Sequence, residues 1–290
     1  GFTSPGGRGN TPLKLGFPGE HACARYLSGL LQQGGGEMKL AVLASGSSGN
    51  ALVVEHNGAM IFFDAGLTGK QHLIRMESSG LPRSEPLGLF LSHEHGDHAR
   101  CAGVMARKWK IPVFATQGTF RGTRLLGEKN HGLETFSNGD AVVIGDFRVE
   151  PWSISHDARD PSGFTVTAGG RRLGIATDMG QAGPMVRTML QGCHGLVFEF
   201  NHDLDMLWDG PYPWPLKQRI ASGEGHLSND DAAAVLEELA HSELRFCVAA
   251  HLSRENNTPE IALRVCGETA GGRFSVFAGD PDRALPIMEV

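Results

Sequence analysis

Three histidines and an aspartate lie within six positions of the sequence, directly after an apolar stretch that is typical of a buried strand. The run reads Ser92-His93-Glu94-His95-Gly96-Asp97-His98. Side chains two apart on an extended backbone point to the same side, so His93 and His95 can reach one metal ion. Gly96 permits a sharp turn, after which Asp97 and His98 can face a second ion close by. The run predicts a metal site, and the alternative is a histidine-rich surface turn.

Three further histidine or aspartate residues each close an apolar strand elsewhere in the chain. They are His156, Asp178 and His251. Metal sites in layered folds take ligands from loops at one edge of a sheet, so residues in this position are candidates for the same site. Taken singly, each is better explained as a cap or a hydrogen-bonded core residue. Taken together with the run at 93–98, they indicate metal ligands.

The elements that must position these residues are short strands interleaved with helices. The predicted strands are 40–45, 51–55, 60–64, 87–92, 113–115, 141–144, 147–155, 163–167, 172–178, 195–200, 244–250 and 274–277. The clearest predicted helices are 230–241, and 259–266 with Thr258 as N-cap and Gly267 just past its end. Strands and helices that alternate over about 250 residues indicate a layered α/β architecture.

Residues 1–37 have a different composition from the rest of the chain. They contain clustered glycines and several prolines, and only the stretch 23–32 could be helical. From Met38 onward the sequence is strongly patterned. The sequence therefore predicts a weakly structured N-terminal extension, 1–37, followed by one folded domain, 38–290.

Composition limits the class of protein. Hydrophobic residues make up 40% of the 290 positions, and no apolar run approaches the roughly 18 residues that span a bilayer, so no membrane association is expected. The five cysteines are widely spaced and form no C-x-x-C pair, which predicts a reducing cytoplasm. The net charge of −6 disfavours an extended basic groove. It leaves a phosphate substrate open, because bound divalent ions would add positive charge at the site.

The order of these motifs resembles the metallo-β-lactamase superfamily. H-x-H-x-D-H is followed by a lone histidine, an aspartate after an apolar strand and a final histidine, over residues 38 to about 280. The resemblance implies a four-layer αββα sandwich, with the site between its two halves. It also implies two ions, one held by His93, His95 and His156, the other by Asp97, His98 and His251, with Asp178 bridging them.

Two such ions, about 3.5 to 4 Å apart, would share a hydroxide and clamp the attacking and leaving oxygens. Imidazole and carboxylate ligands favour zinc, with manganese or iron as alternatives. Flavodiiron redox members of the superfamily have a glutamate at the position of His95, so this chain resembles the hydrolases. Asp97 is expected to serve in catalysis as well as in metal binding.

Four segments further resemble the YycJ/WalJ-type branch of the superfamily, whose members are described as DNA exonucleases. They are 43–50, 199–203, 210–220 and 251–257. The resemblance implies a two-metal phosphodiesterase, a DNA exonuclease in which the bridging hydroxide attacks phosphorus in line. The 72 residues between Asp178 and His251 leave no room for the inserted domain of RNase J-like nucleases. The core fold, its loops or a second subunit must therefore hold any nucleic acid, and a homodimer stays open.

A proton donor for the leaving oxygen can also be named from a resemblance. The segment 225–233 resembles phosphodiesterase members such as RNase Z, in which a histidine beside a helix start protonates the leaving group. We therefore predict His226 as general acid, with Glu199 hydrogen-bonded to its ring. The alternative is that His226 is a solvated loop residue.

Candidate substrate-binding residues lie in three of the segments. The turn 46–50 could offer backbone N–H groups and serine hydroxyls to a phosphate, or it is a plain hairpin turn. The segment 210–220 could stack bases on aromatic rings and contact the backbone with cations, or it is a proline-stiffened surface loop. The candidates are Ser47, Ser48, Tyr212, Trp214, Lys217, Arg219 and Asn256. Asp64 is expected to fix a strand-to-helix turn.

Two other functions remain open from the sequence. The first is hydrolysis of a small cyclic or nucleotide phosphodiester, which the acidic net charge would suit. The second is a metal-binding regulatory protein with little turnover, which the complete set of seven ligand positions disfavours.

Overall fold

Two seven-stranded sheets form the centre of the molecule, as seen in a computed structural model that describes residues 36–123 and 132–290. The first sheet has the order β14-β1-β2-β3-β4-β5-β6. Its strands are β1 (Lys39–Ala44), β2 (Ala51–His56), β3 (Ala59–Phe63), β4 (Glu85–Phe90), β5 (Val113–Ala115), β6 (Leu133–Thr135) and β14 (Met288–Glu289). The second has the order β13-β12-β11-β10-β9-β8-β7. Its strands are β7 (Val142–Ile144), β8 (Phe147–Ser153), β9 (Ser162–Ala168), β10 (Arg171–Ala176), β11 (Gly195–Glu199), β12 (Phe246–Ala250) and β13 (Ser275–Ala278).

Both sheets follow the same pairing pattern. Strands β1 to β3 are antiparallel and β3 to β6 are parallel, while β7 to β10 are antiparallel and β10 to β13 are parallel. Parallel strands end at a common edge of the sheet, which is where α/β folds bind ligands. Each half of the chain therefore offers one such edge.

The helices in the described ranges are α1 (Gly69–Ser79), α2 (Gly96–Ala99), α3 (Ala102–Trp109), α4 (Gln117–Gly122), α5 (Pro184–Leu190), α6 (Leu204–Asp209), α7 (Trp214–Ile220), α8 (Asn229–Leu239) and α9 (Pro259–Ala270). Of these, α1 and α3 cover the outer face of the first sheet, and α5, α8 and α9 cover that of the second. Met105 of α3 packs on the first sheet, and Val186 of α5 and Val235 of α8 pack on the second. Between the sheets, the ring of Phe164 lies 5.0 Å from that of Phe63. The predicted four-layer αββα sandwich is confirmed.

The predicted helix at 230–241 is confirmed as α8, and Ser228 caps it by accepting a hydrogen bond from the N–H of Asp231. The predicted end of α9 is wrong. Gly267 lies inside this helix, which continues to Ala270 and ends at Gly271 in a left-handed conformation. Glycine lowers helix propensity by only about 1 kcal/mol, and the packing of α9 on β13 outweighs that cost.

The proposed N-terminal extension falls almost entirely on residues outside the described ranges, including the possible helix at 23–32. The domain boundary at 37 and 38 therefore stays a prediction. None of the helices in 36–123 and 132–290 has the length and apolar character that crossing a membrane requires. The cytoplasmic location also stays a prediction.

Candidate active site

The seven candidate ligands converge where strands of both sheets end. His93 and His95 follow β4, Asp97 and His98 lie in α2, His156 follows β8, Asp178 follows β10, and His251 follows β12. Ligand atoms of His93, His95 and His156 lie within 4.8 Å of one another. The same spacing holds for the ligand atoms of Asp97, His98 and His251. The structure thus brings together the two triads that the sequence resemblance implies.

The carboxylate of Asp178 lies between the two triads. Its Oδ2 is 3.2 Å from Nε2 of His98, and its Oδ1 is 3.3 Å from Nε2 of His251 and 3.9 Å from Nε2 of His156. Within the described ranges, Asp178 Oδ2 and His251 Nε2 are buried, and their contacts with His98 and Asp178 lack hydrogen-bond geometry. Buried polar atoms normally make a hydrogen bond or bind an ion, and these donor types fit a divalent cation. The residues present therefore fit the metal that the sequence predicts.

Opposite charges hold this cluster in its ionised form. Burial favours neutral Asp178, but the imidazoles of His251 and His98 outweigh it and keep the aspartate pKa well below its usual range. Burial likewise opposes charge on His251, yet Asp178 and its other acceptors raise the pKa of this histidine to about 10. Because a metal binds the neutral form of imidazole, metal binding and imidazole protonation compete at this cluster.

A second set of contacts orients the imidazoles. His98 Nδ1 donates to Asp64 Oδ2 at 2.7 Å, and His156 Nδ1 donates to the Gly225 carbonyl at 3.3 Å. Since these acceptors cannot donate, each Nδ1 carries a proton and each Nε2 is the ring nitrogen that can serve as a metal ligand. Asp64 also accepts from the Ser92 N–H at 2.8 Å. Its role is thus wider than the turn that the sequence predicts, because it fixes a candidate ligand as well.

The pair of Glu199 and His226 lies next to the cluster. Glu199 is fully buried, and its Oε1 accepts from His226 Nδ1 at 2.8 Å and from His251 Nδ1 at 3.1 Å. Burial alone would raise the pKa of Glu199, but the two imidazoles, led by His226, lower it to about 2. An ionised Glu199 therefore orients both rings. Sequence reasoning missed the bond to His251, although the pairing of Glu199 with Ala250 across β11 and β12 places the two residues side by side.

A cleft of about 190 Å³ opens beside the cluster. His226 and His156 form part of its wall. Three of the candidate substrate-binding residues also line it, namely Ser47, Tyr212 and Arg219. Arg219 is held by an ion pair with Asp157, which lines the same cleft, with 2.7 Å between Nε and Oδ2.

Four candidate substrate-binding residues do not line this cleft. Lys217 is buried and donates from Nζ to the Trp208 carbonyl, so its ammonium caps the end of α6 and does not face a phosphate. Asn256 is wholly buried and contacts Ser253, which removes it from direct substrate contact. Trp214 is 61% exposed, with its ring 5.3 Å from that of Trp208. Ser48 is exposed at the turn 46–50.

The sequence assigns a sharp turn in the ligand run to Gly96, and a new helix does begin there, but the backbone at this position does not require glycine. Gly96 begins α2 with φ outside the left-handed region, and among the described residues no atom would lie within 4 Å of a Cβ placed on it. The close approach occurs at Gly66 instead. A Cβ on Gly66 would overlap the carbonyl of Asp97 and crowd the N–H of Asn50.

Gly66→Ala should destabilise the fold by about 3 kcal/mol, because backbone on both sides of Gly66 must move. Gly96→Ala is the matched control and should change stability by less than about 0.5 kcal/mol. Urea unfolding of the two variants measures the difference. Equal stabilities would contradict the assignment of the tight contact to Gly66.

Comparisons with known proteins agree with this architecture. The chain matches the family described as the β-lactamase superfamily domain over residues 60–251. It is 35% identical to exodeoxyribonuclease YycJ of Bacillus anthracis over 262 residues, which are 87% of this chain and 99% of that protein. It is 31% identical to exodeoxyribonuclease WalJ of Streptococcus pneumoniae over 263 residues, with 87% and 98% covered.

Among solved structures, the metallo-β-lactamase fold protein YhfI of Bacillus subtilis superposes with a TM-score of 0.65. The superposition covers 86% of this chain and 99% of that one at 16% identity, and it supports the fold alone. The sequence matches to YycJ and WalJ span most of both proteins, so they show the family and its metal-dependent hydrolase activity. This chain therefore belongs to the metallo-β-lactamase superfamily, as a YycJ/WalJ-like protein, and is a metal-dependent hydrolase.

Proposed function

We propose that the protein is a two-metal phosphodiesterase that acts on DNA as an exonuclease. The substrate class comes from its relatives, which are named exodeoxyribonucleases. The observation that carries the reaction type is the Glu199–His226 pair, since His226 lines the cleft beside the candidate metal ligand His156. A phosphodiester leaves an alkoxide that needs a proton, and this pair offers a positioned donor.

Each residue has a distinct task in this proposal. His226 gives a proton from Nε2 to the leaving oxygen, because Glu199 engages its Nδ1. Two divalent ions, with zinc as the first choice and manganese or iron as alternatives, would supply a nucleophile from water at neutral pH and offset the phosphate charge. The triads around Asp178 would hold them. Asp97, whose side chain is 21% exposed, is the carboxylate of the set that a substrate can approach.

Binding of a DNA strand is assigned to the segment 203–220 and the turn 46–50. Tyr212 in the cleft and the exposed rings of Trp214 and Trp208 can stack bases, and every base has a face for such stacking. Ser47 in the cleft can donate to a phosphate oxygen. Arg219 can do so where the phosphate displaces Asp157 from its guanidinium.

The net charge of −6 favours a second candidate function, which is hydrolysis of a small cyclic or nucleotide phosphodiester. The regulatory alternative without turnover does not fit a metal-dependent hydrolase.

End-labelled single-stranded and duplex DNA provide the direct test. Protein stripped with a chelator and reloaded with Zn²⁺ or Mn²⁺ should release mononucleotides from a DNA end, and the chelated protein should not, because the ligand cluster needs a cation. Gel analysis of the labelled products measures the release. Hydrolysis of bis-p-nitrophenyl phosphate without DNA cleavage would favour the small substrate. No hydrolysis of either substrate by the reloaded protein would contradict the phosphodiesterase proposal.

A further inference from the structure

We propose that Arg100 and Arg254 form a second phosphate subsite, which binds a phosphate of the substrate other than the one that is cleaved. Arg254 Nη2 lies 3.2 Å from Ser48 Oγ, and Arg100 Nη2 lies 3.5 Å from the Ser48 carbonyl oxygen. Two guanidinium groups from different loops therefore meet at one exposed serine. This inference rests on the proposed function, because it requires a substrate with more than one phosphate.

The subsite adjoins the cleft through the chain itself. Ser47 and Ser253 line the cleft, and their neighbours Ser48 and Arg254 continue outward from it. Arg100 directly follows α2, the short helix that carries two of the candidate ligands. A strand whose scissile phosphate lies at the ligand cluster would therefore bring a further phosphate to this rim.

The free donors of the two arginines suit a phosphate. Arg254 also binds Asp282, with 3.0 Å from Nη2 to each carboxylate oxygen. In the described part of the chain, all contacts of Arg254 use Nη2, so Nε and Nη1 remain available. A guanidinium presents its donors as a fork that matches phosphate oxygens. In a chain with a net charge of −6, such local cations are what a nucleic acid would contact.

The surroundings argue against a purely structural role for Arg254. Its side chain is 54% exposed and that of Asp282 is 72% exposed, and ion pairs this exposed contribute little to stability. The chain offers a matched control in Arg264, which is 59% exposed and pairs with Glu268 on α9 at 3.6 Å. Loss of either arginine should thus leave the fold intact, and only loss of Arg254 should affect substrate binding.

Kinetics on two substrates test the subsite. Arg254→Gln should raise KM for a single-stranded oligonucleotide by roughly 3- to 10-fold, the cost of one exposed charged contact. Bis-p-nitrophenyl phosphate carries one phosphate, so the fold increase in its KM should be at least threefold smaller than the increase for the oligonucleotide. Arg254→Lys should recover part of the affinity, since it keeps the charge and loses the fork. Arg264→Gln should match the wild type on both substrates.

Binding without turnover gives a second measurement. With the metal removed by a chelator, affinity for a single strand should depend less steeply on salt concentration in Arg254→Gln than in the wild type. The slope of log affinity against log salt concentration should be smaller in magnitude by about 0.7, as expected for one lost phosphate contact. Oligonucleotides with and without terminal phosphates separate the two sources of the phosphate. A defect restricted to phosphorylated ends identifies a terminal phosphate, and a defect on both identifies an internal diester.

Two results would overturn the subsite. One is an oligonucleotide KM for Arg254→Gln equal to that of Arg264→Gln. The other is an equal fold increase in the KM of Arg254→Gln for the oligonucleotide and for bis-p-nitrophenyl phosphate. Failure of the proposed function looks different, because the wild-type protein itself would then cleave no DNA.

Discussion

Asp178→Asn should lower phosphodiester hydrolysis by at least about 10³-fold, since metal ions supply several kcal/mol of charge stabilisation. The Asp178 carboxylate is the group that lies within 3.9 Å of imidazoles from both triads. An amide has no negative charge and only one oxygen that could bind a metal, so bound metal should fall as well. Elemental analysis of the purified variant, together with hydrolysis rates, measures both effects.

Asparagine is the right substitution at this position because Asp178 has φ of +60°. Asparagine tolerates the left-handed conformation better than alanine, so the fold should survive. Asp146→Asn, at an exposed turn between β7 and β8, is the control and should keep wild-type metal content and rates. Full metal content and activity in Asp178→Asn would contradict the proposed bridging role.

Three residues that follow strands have a left-handed backbone conformation, a feature that is hard to predict from the sequence. Asp64, Asp178 and His251 follow β3, β10 and β12 with φ of 59°, 60° and 55°. Such conformations cost of order 1 kcal/mol each outside glycine and are concentrated at functional sites. They turn the chain sharply where each strand ends, at the edge where the ligand cluster forms. The sequence predicts a turn at Asp64, but no glycine marks Asp178 or His251, so it does not predict the left-handed backbone at these two positions.

The sequence predicts the positions of the candidate metal ligands better than those of the substrate contacts, and the reason is physical. Strand ends can be predicted from apolar runs, and parallel strands share an edge, so the positions of Asp178 after β10 and His251 after β12 follow from this pattern. Side-chain direction in a loop depends on tertiary contacts that no local pattern encodes. Lys217 turns inward to a carbonyl and Asn256 is wholly buried, although both lie in segments that resemble the exonuclease branch.

His226→Gln should lower the kcat for DNA by roughly 10²- to 10⁴-fold, the usual contribution of a general acid. The loss should be far smaller for bis-p-nitrophenyl phosphate, because p-nitrophenolate leaves without a proton. Rates on the two substrates measure the ratio. His241→Gln is the control, since His241 bonds the Cys193 carbonyl at 2.9 Å and lies outside the ligand groups.

Metal content distinguishes a role of His226 as proton donor from a role as metal ligand. His226 lies close enough to Asp178, Glu199 and His251 to be a ligand itself. A proton donor can be lost without loss of metal, whereas loss of a ligand weakens metal binding, so His226→Gln should keep the metal content of the wild type. Glu199→Gln should behave differently, because Glu199 also orients His251 and its loss should weaken metal binding by roughly 10- to 100-fold. Equal losses on both substrates, with metal missing from His226→Gln, would make His226 a ligand and leave the leaving oxygen without a donor.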